Sequence, residues 1–137
     1  MPIHLWHRQS RMELRQNAER FTRQFGIPIL SADENPDYST NPGKATQDKV
    51  FLLSIVEANK YFSSDSARQC KPTEYAVAGG AYVNGSNGNC WWWLRSPGYS
   101  QHYTARVGYD GGVYVYGYIV CGKGNVVRPA LWIDLNS

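Results

Sequence analysis

The sequence predicts an α+β fold in which two helices pack on a small twisted antiparallel sheet, preceded by an N-terminal helix. Three observations predict this class. The last third of the chain alternates apolar and polar residues around a glycine-rich turn, as a β-hairpin does. The middle third holds two short segments that begin with helix-capping residues. The length of 137 residues suits one domain, which can bury a core without a disulfide or a metal ion.

Residues 1–45 are expected to form the N-terminal helix and a polar loop. The helix is predicted over residues 9–25, where Ser10 and Glu13 have the spacing of a capping box. Five arginines precede position 24 and make this segment basic. A basic helix could contact nucleic acid, but no base-reading motif accompanies the charge. A solvated helix face is therefore the favoured explanation, and no nucleic-acid partner is expected.

Apolar runs and capping residues in the middle of the chain predict a strand, two helices and a second strand. The sequence KVFLLS at 49–54 is a short apolar run, which is typical of a buried strand. Ser54 and Glu57 then form a capping box for one helix, and Thr73 caps a second. The sequence WWWLR at 91–95 follows a turn-rich loop and predicts an aromatic strand, which a proline–glycine pair ends.

The predicted hairpin has one aliphatic face and one tyrosine-rich face. A three-residue loop at 110–112 pairs Val107 with Val115 and separates the two kinds of side chain, whereas a two-residue loop mixes them. The aliphatic face then holds Ala105, Val107, Val113, Val115 and Ile119. The other face holds Thr104, Arg106, Gly108, Tyr114, Tyr116 and Tyr118. Arg106 is placed within cation–π reach of these rings.

Tyrosines are concentrated in this hairpin, because six of the ten in the chain lie between positions 99 and 118. A tyrosine ring offers a large, stiff contact surface that also carries a hydroxyl group, and binding surfaces use it for that reason. A single tyrosine is more simply explained as a ring that covers the fold. The cluster of six favours a recognition surface.

Charge, hydropathy and cysteine content give little reason to expect a membrane-spanning or disulfide-bonded protein. The net charge is only +3, and no apolar run reaches the roughly 20 residues of a membrane span. The first residues show no signal-peptide pattern, and the compartment stays unassigned. The three cysteines are Cys70, Cys90 and Cys121. Cys70 and Cys90 could pair in an exported protein, but three free thiols are favoured.

Four segments within residues 46–137 resemble a bacterial domain family of unknown function. They are TQDKVFLLSIVEANKYF, CKPTEYA, CWWWLRSPG and VVRPALWIDL. That family is similar to the C-type-lectin-like domains of formylglycine-generating enzymes, and its members serve as variable proteins of diversity-generating retroelements. The resemblance implies a C-type-lectin-like domain over residues 46–137. It also implies that the segments flanking the hairpin form a frame, whose members here are Trp91, Trp92, Trp93, Arg95, Arg128, Pro129 and Trp132. Arg95 and Arg128 are expected to bond backbone carbonyls or carboxylates, since buried arginines beside tryptophans need partners.

The same resemblance implies a variable region at residues 99–121. In such retroelements the adenines of AAC-type codons are replaced, which never yields Trp, Met, Gln, Lys or Glu. Only Gln101 of this region belongs to that excluded set. Ala105, Arg106, Val107 and Val113 are expected to be fixed scaffold positions. The candidate ligand-binding residues are Tyr99, Ser100, His102, Tyr103, Arg106, Gly108, Tyr109, Tyr114, Tyr116, Tyr118, Ile119 and Cys121.

The expected function is therefore non-catalytic binding of a protein or a surface glycan, without cofactor or metal. An enzyme of the formylglycine-generating type is one alternative, which the lack of a cysteine pair in the C-terminal strands disfavours. A structural module whose tyrosines pack on a partner subunit is another. His and carboxylate spacing gives no metal site, and no acidic loop indicates calcium. The sequence leaves the oligomeric state open.

Overall fold

The computed structural model describes residues 2–3, 16, 19, 29–30 and 33–133. Its two-residue strands are β1 (Pro2–Ile3), β2 (Ile29–Leu30), β3 (Thr46–Gln47) and β7 (Leu131–Trp132). Its helices are α1 (Ile55–Tyr61), α2 (Asp65–Arg68) and α3 (Glu74–Ala78). Its longer strands are β4 (Trp92–Pro97), β5 (Tyr103–Val107) and β6 (Val113–Ile119). Of the predicted N-terminal helix, Gln16 and Glu19 are helical and the other positions lie outside the described residues.

The chain divides into two compact units, of which the first contains Met1–Ala32, Gly43–Leu52 and Pro129–Ser137. Its described parts form two antiparallel strand pairs, β1 with β7 and β2 with β3. The regular strand predicted at 49–54 is wrong, because only Phe51 pairs, with Ala130. Two backbone hydrogen bonds of 2.9 and 2.7 Å join these residues. Ser54 already caps a helix, so the extended run is too short for a longer ladder.

The second unit, Asp33–Pro42 and Leu53–Arg128, contains a three-stranded antiparallel sheet in the order β4–β5–β6. Helix α1 packs against β4 and β6 of this sheet. The capping box of Ser54 and Glu57 is confirmed in both its hydrogen bonds, and Thr73 caps α3 as predicted. Helix α2, capped by Ser64, was not expected from the pattern. The α+β class is confirmed for the described part of the chain.

The core of the second unit comes from alternate residues of the sheet. Along β4 the inward side chains are Trp92, Leu94 and Ser96, and along β5 they are Ala105 and Val107. All five are almost completely buried. This alternation follows from the two-residue period of a strand, which turns every second side chain to the same face.

Both neighbours of β5 bulge at the same point. Between the pairs Trp93–Arg106 and Pro97–Thr104, three residues of β4 lie opposite Ala105 alone. Between Arg106–Tyr114 and Thr104–Tyr118, three residues of β6 lie opposite it as well. The β6 bulge contains Gly117 with φ of +79°, a backbone conformation that L-residues rarely adopt.

The bulge in β6 corrects the predicted hairpin register. At the end of the hairpin away from the turn, Thr104 pairs with Tyr118, as the predicted register requires. Near the turn, Val107 pairs with Val113 instead of Val115. Gly108 N–H donates to Gly112 O at 2.9 Å, so the three-residue loop is 109–111 instead of 110–112. A shift of two residues in pairing leaves each side chain on its own face, so the two predicted faces survive near the turn.

Arg95 and Arg128 bond a carboxylate and a backbone carbonyl respectively, as predicted. Arg95 forms an ion pair with Glu57, including a 3.0 Å hydrogen bond to Oε1, and a longer 3.4 Å contact with Asp33. Arg128 donates to the carbonyl of Arg68 at 3.0 Å, and its guanidinium lies 4.6 Å from the centre of the Trp92 ring. Indole Nε1 of Trp92 donates to the same carbonyl at 3.1 Å. Polar groups and rings thus share one buried network.

Replacing Gly117 by alanine should lower the unfolding free energy by more than the unfavourable φ angle alone would. A Cβ there would lie 2.3 Å from Thr104 O, against backbone that cannot move aside. Gly80 is the matched control, with φ of +94° and no atom within 4 Å of its added Cβ. We expect losses in unfolding free energy of about 1–2 kcal/mol for Gly80→Ala and about 3 kcal/mol for Gly117→Ala. Urea unfolding measures both, and equal losses would contradict the bulge geometry.

Removing Arg95 should destabilise the second unit through the carboxylates left behind. Arg95→Met leaves Glu57 and Asp33 without their shared cation, and these side chains are only 16% and 19% exposed. We expect a loss of about 2–3 kcal/mol in urea unfolding. The double variant Arg95→Met/Glu57→Gln has one carboxylate fewer and should regain part of that loss. A double variant as unstable as the sum of the single ones would show that the pair carries no coupling.

Candidate functional site

The aromatic side chains of the hairpin form two groups on the second unit. The first, here called the Arg106 cluster, consists of Trp91, Arg106, Tyr109, Tyr114 and Tyr118. The second, here called the Tyr116 cluster, consists of Tyr38, Tyr99, Tyr103 and Tyr116. The predicted single ladder of three tyrosines is therefore divided, because the bulge turns position 116 toward a different set of rings.

Arg106 is held between two rings in its cluster. Its guanidinium carbon lies 3.7 Å from the ring centre of Trp91 and 4.3 Å from that of Tyr118. Its Nη1 donates to Oδ1 of Asn125 at 3.2 Å. Burial lowers the pKa of Arg106, while the neighbouring Tyr118 and Tyr114 act in the opposite direction. The stacked guanidinium makes this end of the surface rigid, because a planar cation and two rings lock one another in place.

Tyr114 is tied to the hairpin turn. Its hydroxyl donates to Oδ2 of Asp110 at 2.8 Å, and its ring packs 5.1 Å from that of Trp91. The hydrogen bond to Asp110 raises the pKa of Tyr114, with desolvation adding to it. Oδ1 of the same carboxylate accepts the backbone N–H of Gly112 at 3.0 Å, which fits the predicted turn role of Asp110.

The turn itself is fixed by bonds to all three of its carbonyl groups. Tyr109 O accepts from the side chains of Asn87 and Asn89, at 3.2 and 3.0 Å. Asp110 O accepts from Gln69 at 3.2 Å. Gly111 O accepts from Nε of Arg68 at 2.8 Å. The tip of the hairpin is therefore a supported loop, although it extends beyond the sheet.

The Tyr116 cluster is a compact set of rings. Tyr116 stacks on Tyr99, with 4.3 Å between ring centres and 8° between planes. Tyr103 contacts both edge-on, at 4.5 Å from Tyr99 and 5.7 Å from Tyr116. Desolvation and the hydroxyl of Tyr99 raise the pKa of Tyr116, and the charge of Tyr99 raises that of Tyr103. The rings thus favour their neutral, hydrogen-bonding form.

Residues from the polar loop complete this cluster, and the sequence patterns did not reveal them. Tyr38 contacts Tyr99 and Tyr116 edge-on, at 6.3 and 6.0 Å. Asn35, which is buried, places that loop by donating to Val115 O at 2.7 Å and to Pro97 O at 2.8 Å. The only sequence signal was the Asn-Pro-Asp turn at 35–37, which does not say where the loop docks.

Most of the predicted ligand-binding residues lie at the surface. Tyr99, Tyr114 and Tyr118 are each 40% exposed, and Tyr116 is 50% exposed. The other exposed members are His102, Ile119 and Cys121. The half-buried members are Ser100, Tyr103, Arg106 and Tyr109.

Gly108 and Ile119 are placed differently from the rest of their predicted sets. Gly108 is buried, and a Cβ there would lie 2.6 Å from the ring of Tyr114, so the absence of a side chain lets that ring lie against the backbone. Ile119 was assigned to the aliphatic face but is exposed. It pairs with Tyr103 at the open end of the hairpin, where that face extends beyond the core.

Metal-binding groups and membrane-spanning helices are absent from the described residues. No group of three or more His, Cys, Asp or Glu side chains is arranged to hold a metal ion there. Likewise, no helix in that part of the chain has the length and apolar character needed to cross a membrane.

The bond between Tyr114 and Asp110 should give the stability of the protein a dependence on alkaline pH. Because the folded state raises the pKa of Tyr114, its contribution is present below about pH 10, the ordinary range for tyrosine, and is lost as pH rises through the folded value. Tyr114→Phe should therefore be less stable than the wild type at neutral pH, with a gap that narrows above about pH 10. Asp110→Asn, which keeps the turn acceptor, is the control and should lower the Tyr114 pKa. A gap that is constant with pH would contradict this assignment.

Comparison with known proteins gives one informative match. The family model DUF6273, a domain of unknown function, matches residues 24–135, and thus begins within the first 45 residues. Comparison with curated proteins and with solved structures gives no significant match. The resemblance to a domain family of unknown function is confirmed, and this chain belongs to the DUF6273 family.

Proposed function

We propose that this protein is a non-catalytic ligand-binding protein whose binding surface is built from residues 99–121 and Tyr38. The ligand is a protein or a surface glycan. The domain is of the C-type-lectin type, and it serves as the variable protein of a diversity-generating retroelement. The observation that carries the proposal is the pair of aromatic clusters, whose rings stay 40–50% exposed at Tyr99, Tyr114, Tyr116 and Tyr118.

The exposed rings need little further ordering to bind. Each is already fixed by a neighbour, as Tyr116 is by Tyr99 and Tyr118 is by Arg106. A side chain that is immobile before binding loses less conformational entropy on contact, so more of its buried area contributes to affinity. Immobilised tyrosines, which combine a large ring face with a polar hydroxyl, are residues that antibody-like binding surfaces use.

The backbone beneath the rings is held by groups outside the variable segment. Asn35 supports β6, while Arg68 and the amides of Asn87 and Asn89 support the turn. These bonds go to carbonyl oxygens, which every amino acid provides. A change of side chain at an exposed position therefore leaves them in place, which suits a surface that varies between copies.

Flat aromatic surfaces also suit a glycan, since the apolar face of a sugar ring packs on a tyrosine ring while hydroxyl groups bond at its edge. The stacked pair of Tyr99 and Tyr116 presents such a surface. A protein ligand would instead cover both clusters, because a standard interface buries roughly 800 Å² on each partner. Binding of a glycan should therefore weaken only when residues of the Tyr116 cluster are substituted. Binding of a protein should weaken when either cluster is substituted.

The direct test replaces Tyr114, Tyr116 and Tyr118 together by serine. We expect a monodisperse, folded protein that loses binding by 100-fold or more, the combined effect of at least two hot-spot rings at roughly 1.4 kcal/mol per tenfold. Binding is screened on a glycan array and on a displayed peptide library. Tyr75→Ser is the matched control, since Tyr75 is 90% exposed and belongs to α3. Unchanged binding, or an unfolded triple variant, would refute the surface assignment.

The retroelement assignment has its own test at the level of DNA. The locus should hold a reverse transcriptase gene and a near-copy of the codons for residues 99–137 that differs only at adenines. A locus without either would refute this part of the proposal and leave ligand binding to the test above.

If the triple variant changes from an oligomer to a monomer, the tyrosines instead pack on a partner subunit.

A further inference from the structure

Cys70 and Cys90 meet at the two ends of one loop. The backbone N–H of Cys90 donates to Cys70 O at 2.8 Å, and Sγ of Cys90 lies 3.3 Å from the same oxygen. The backbone bond and the direct interaction between the two thiols place the side chains next to each other on adjacent chain segments, as a disulfide bond requires. Both cysteines are free thiols in this structure.

The two sulfur atoms share one buried environment. Cys70 is 7% exposed and Cys90 is fully buried. Their thiols interact with each other, which lowers the pKa of Cys70 and raises that of Cys90. The positive charge of Arg128 favours the thiolate form of both. Cys70 is therefore the thiol that ionises first, and it is also the one that solvent reaches.

We propose that Cys70 and Cys90 are a redox-active pair that forms an intramolecular disulfide bond when the protein meets a low-molecular-weight disulfide. Cys121 takes no part, because it is exposed and lies beyond the hairpin. The sequence alone allowed such a pair. The additional evidence is the direct backbone bond, the joint burial and the adjacent cation.

The chemistry is a two-step thiol–disulfide exchange. The Cys70 thiolate attacks one sulfur of the oxidant disulfide, which releases one thiolate and leaves a mixed disulfide on Cys70. Cys90 attacks Sγ of Cys70, and its proton passes to the departing thiolate, which leaves as the second thiol. The protein loses two protons and two electrons, and the oxidant becomes two thiols. A dithiol reductant reverses both steps.

The bond would fasten the loop that supports the hairpin turn. Residues 71–89 carry Asn87 and Asn89, whose side chains hold Tyr109 O. The loop is ordered from within by Asn84, whose Oδ1 accepts from the backbone of Ser86 at 3.0 Å and whose carbonyl accepts from Gly88 at 2.8 Å. A link between its two ends would keep these amides in place when the rest of the unit loosens.

The test uses the full chain with Cys121→Ser, which prevents dimers through the exposed thiol. The folded protein is incubated for a day in glutathione buffers from fully reduced to fully oxidised. Free thiols are then alkylated and the protein is weighed by mass spectrometry. We expect two free thiols in the reducing buffer and none in the oxidising one, with no glutathione adduct and no dimer. The Tm should rise by roughly 10 °C on oxidation, as a loop of this size predicts.

Two further variants test whether the Tm shift needs both cysteines and whether Cys70 is the one that reacts first. Cys70→Ala/Cys90→Ala/Cys121→Ser should show the same Tm in both buffers. Cys90→Ala/Cys121→Ser should trap a glutathione adduct on Cys70, since the second attack is missing. Thiols that stay free after a day at the most oxidising ratio, or stable adducts on both cysteines, would overturn the proposal. An equal Tm for the oxidised and reduced forms would also overturn it.

Discussion

The sheet of the second unit depends on the two bulges by which β4 and β6 interrupt their pairing with β5 at Ala105. Each places three residues opposite this one small side chain, so their peptide groups cannot all enter the ladder. A buried peptide group must find another partner. Arg95 N–H therefore donates to Leu53 O, Tyr116 O accepts from Tyr99 N–H, and Val115 O accepts from Asn35. The elements around the sheet are attached to it through groups that a regular ladder would have used.

The interior is stabilised by cations packed on rings, in addition to apolar contact. One carbonyl, that of Arg68, accepts from both Trp92 and Arg128, while the side chain of Arg68 reaches the hairpin turn. Arginine suits such positions because its planar charge stacks on rings and donates in several directions at once. The same residue therefore connects the core to the tip of the surface, and the exposed tyrosines lie at the end of this network.

The sequence was informative wherever a local rule decides the structure. Both capping residues and the two faces of the hairpin followed from spacing. The kind of group that Arg95 and Arg128 bond followed from the cost of burying an arginine without a partner. The register near the turn did not, because a two-residue shift leaves the alternation unchanged and only the bulge at Gly117 reveals it.

Contacts between distant segments were beyond prediction. Asn35 and Tyr38 belong to a polar loop whose composition fits any exposed position. Their roles arise from hydrogen bonds and ring contacts to residues more than 60 positions later. The strand at 49–54 failed for a related reason: an apolar run shows that a segment is buried, but not whether another strand lies beside it.

The amide of Asn35 has a consequence for the coupling between the flanking strands of the sheet. Strands β4 and β6 lie on opposite sides of β5 and do not pair with each other. One amide nitrogen donates to Pro97 O on β4 and to Val115 O on β6, so it joins both strands beside the points where their ladders to β5 are interrupted. The geometry of the hairpin thus depends on one side chain that lies 62 and 80 positions earlier in the chain than the carbonyls it binds.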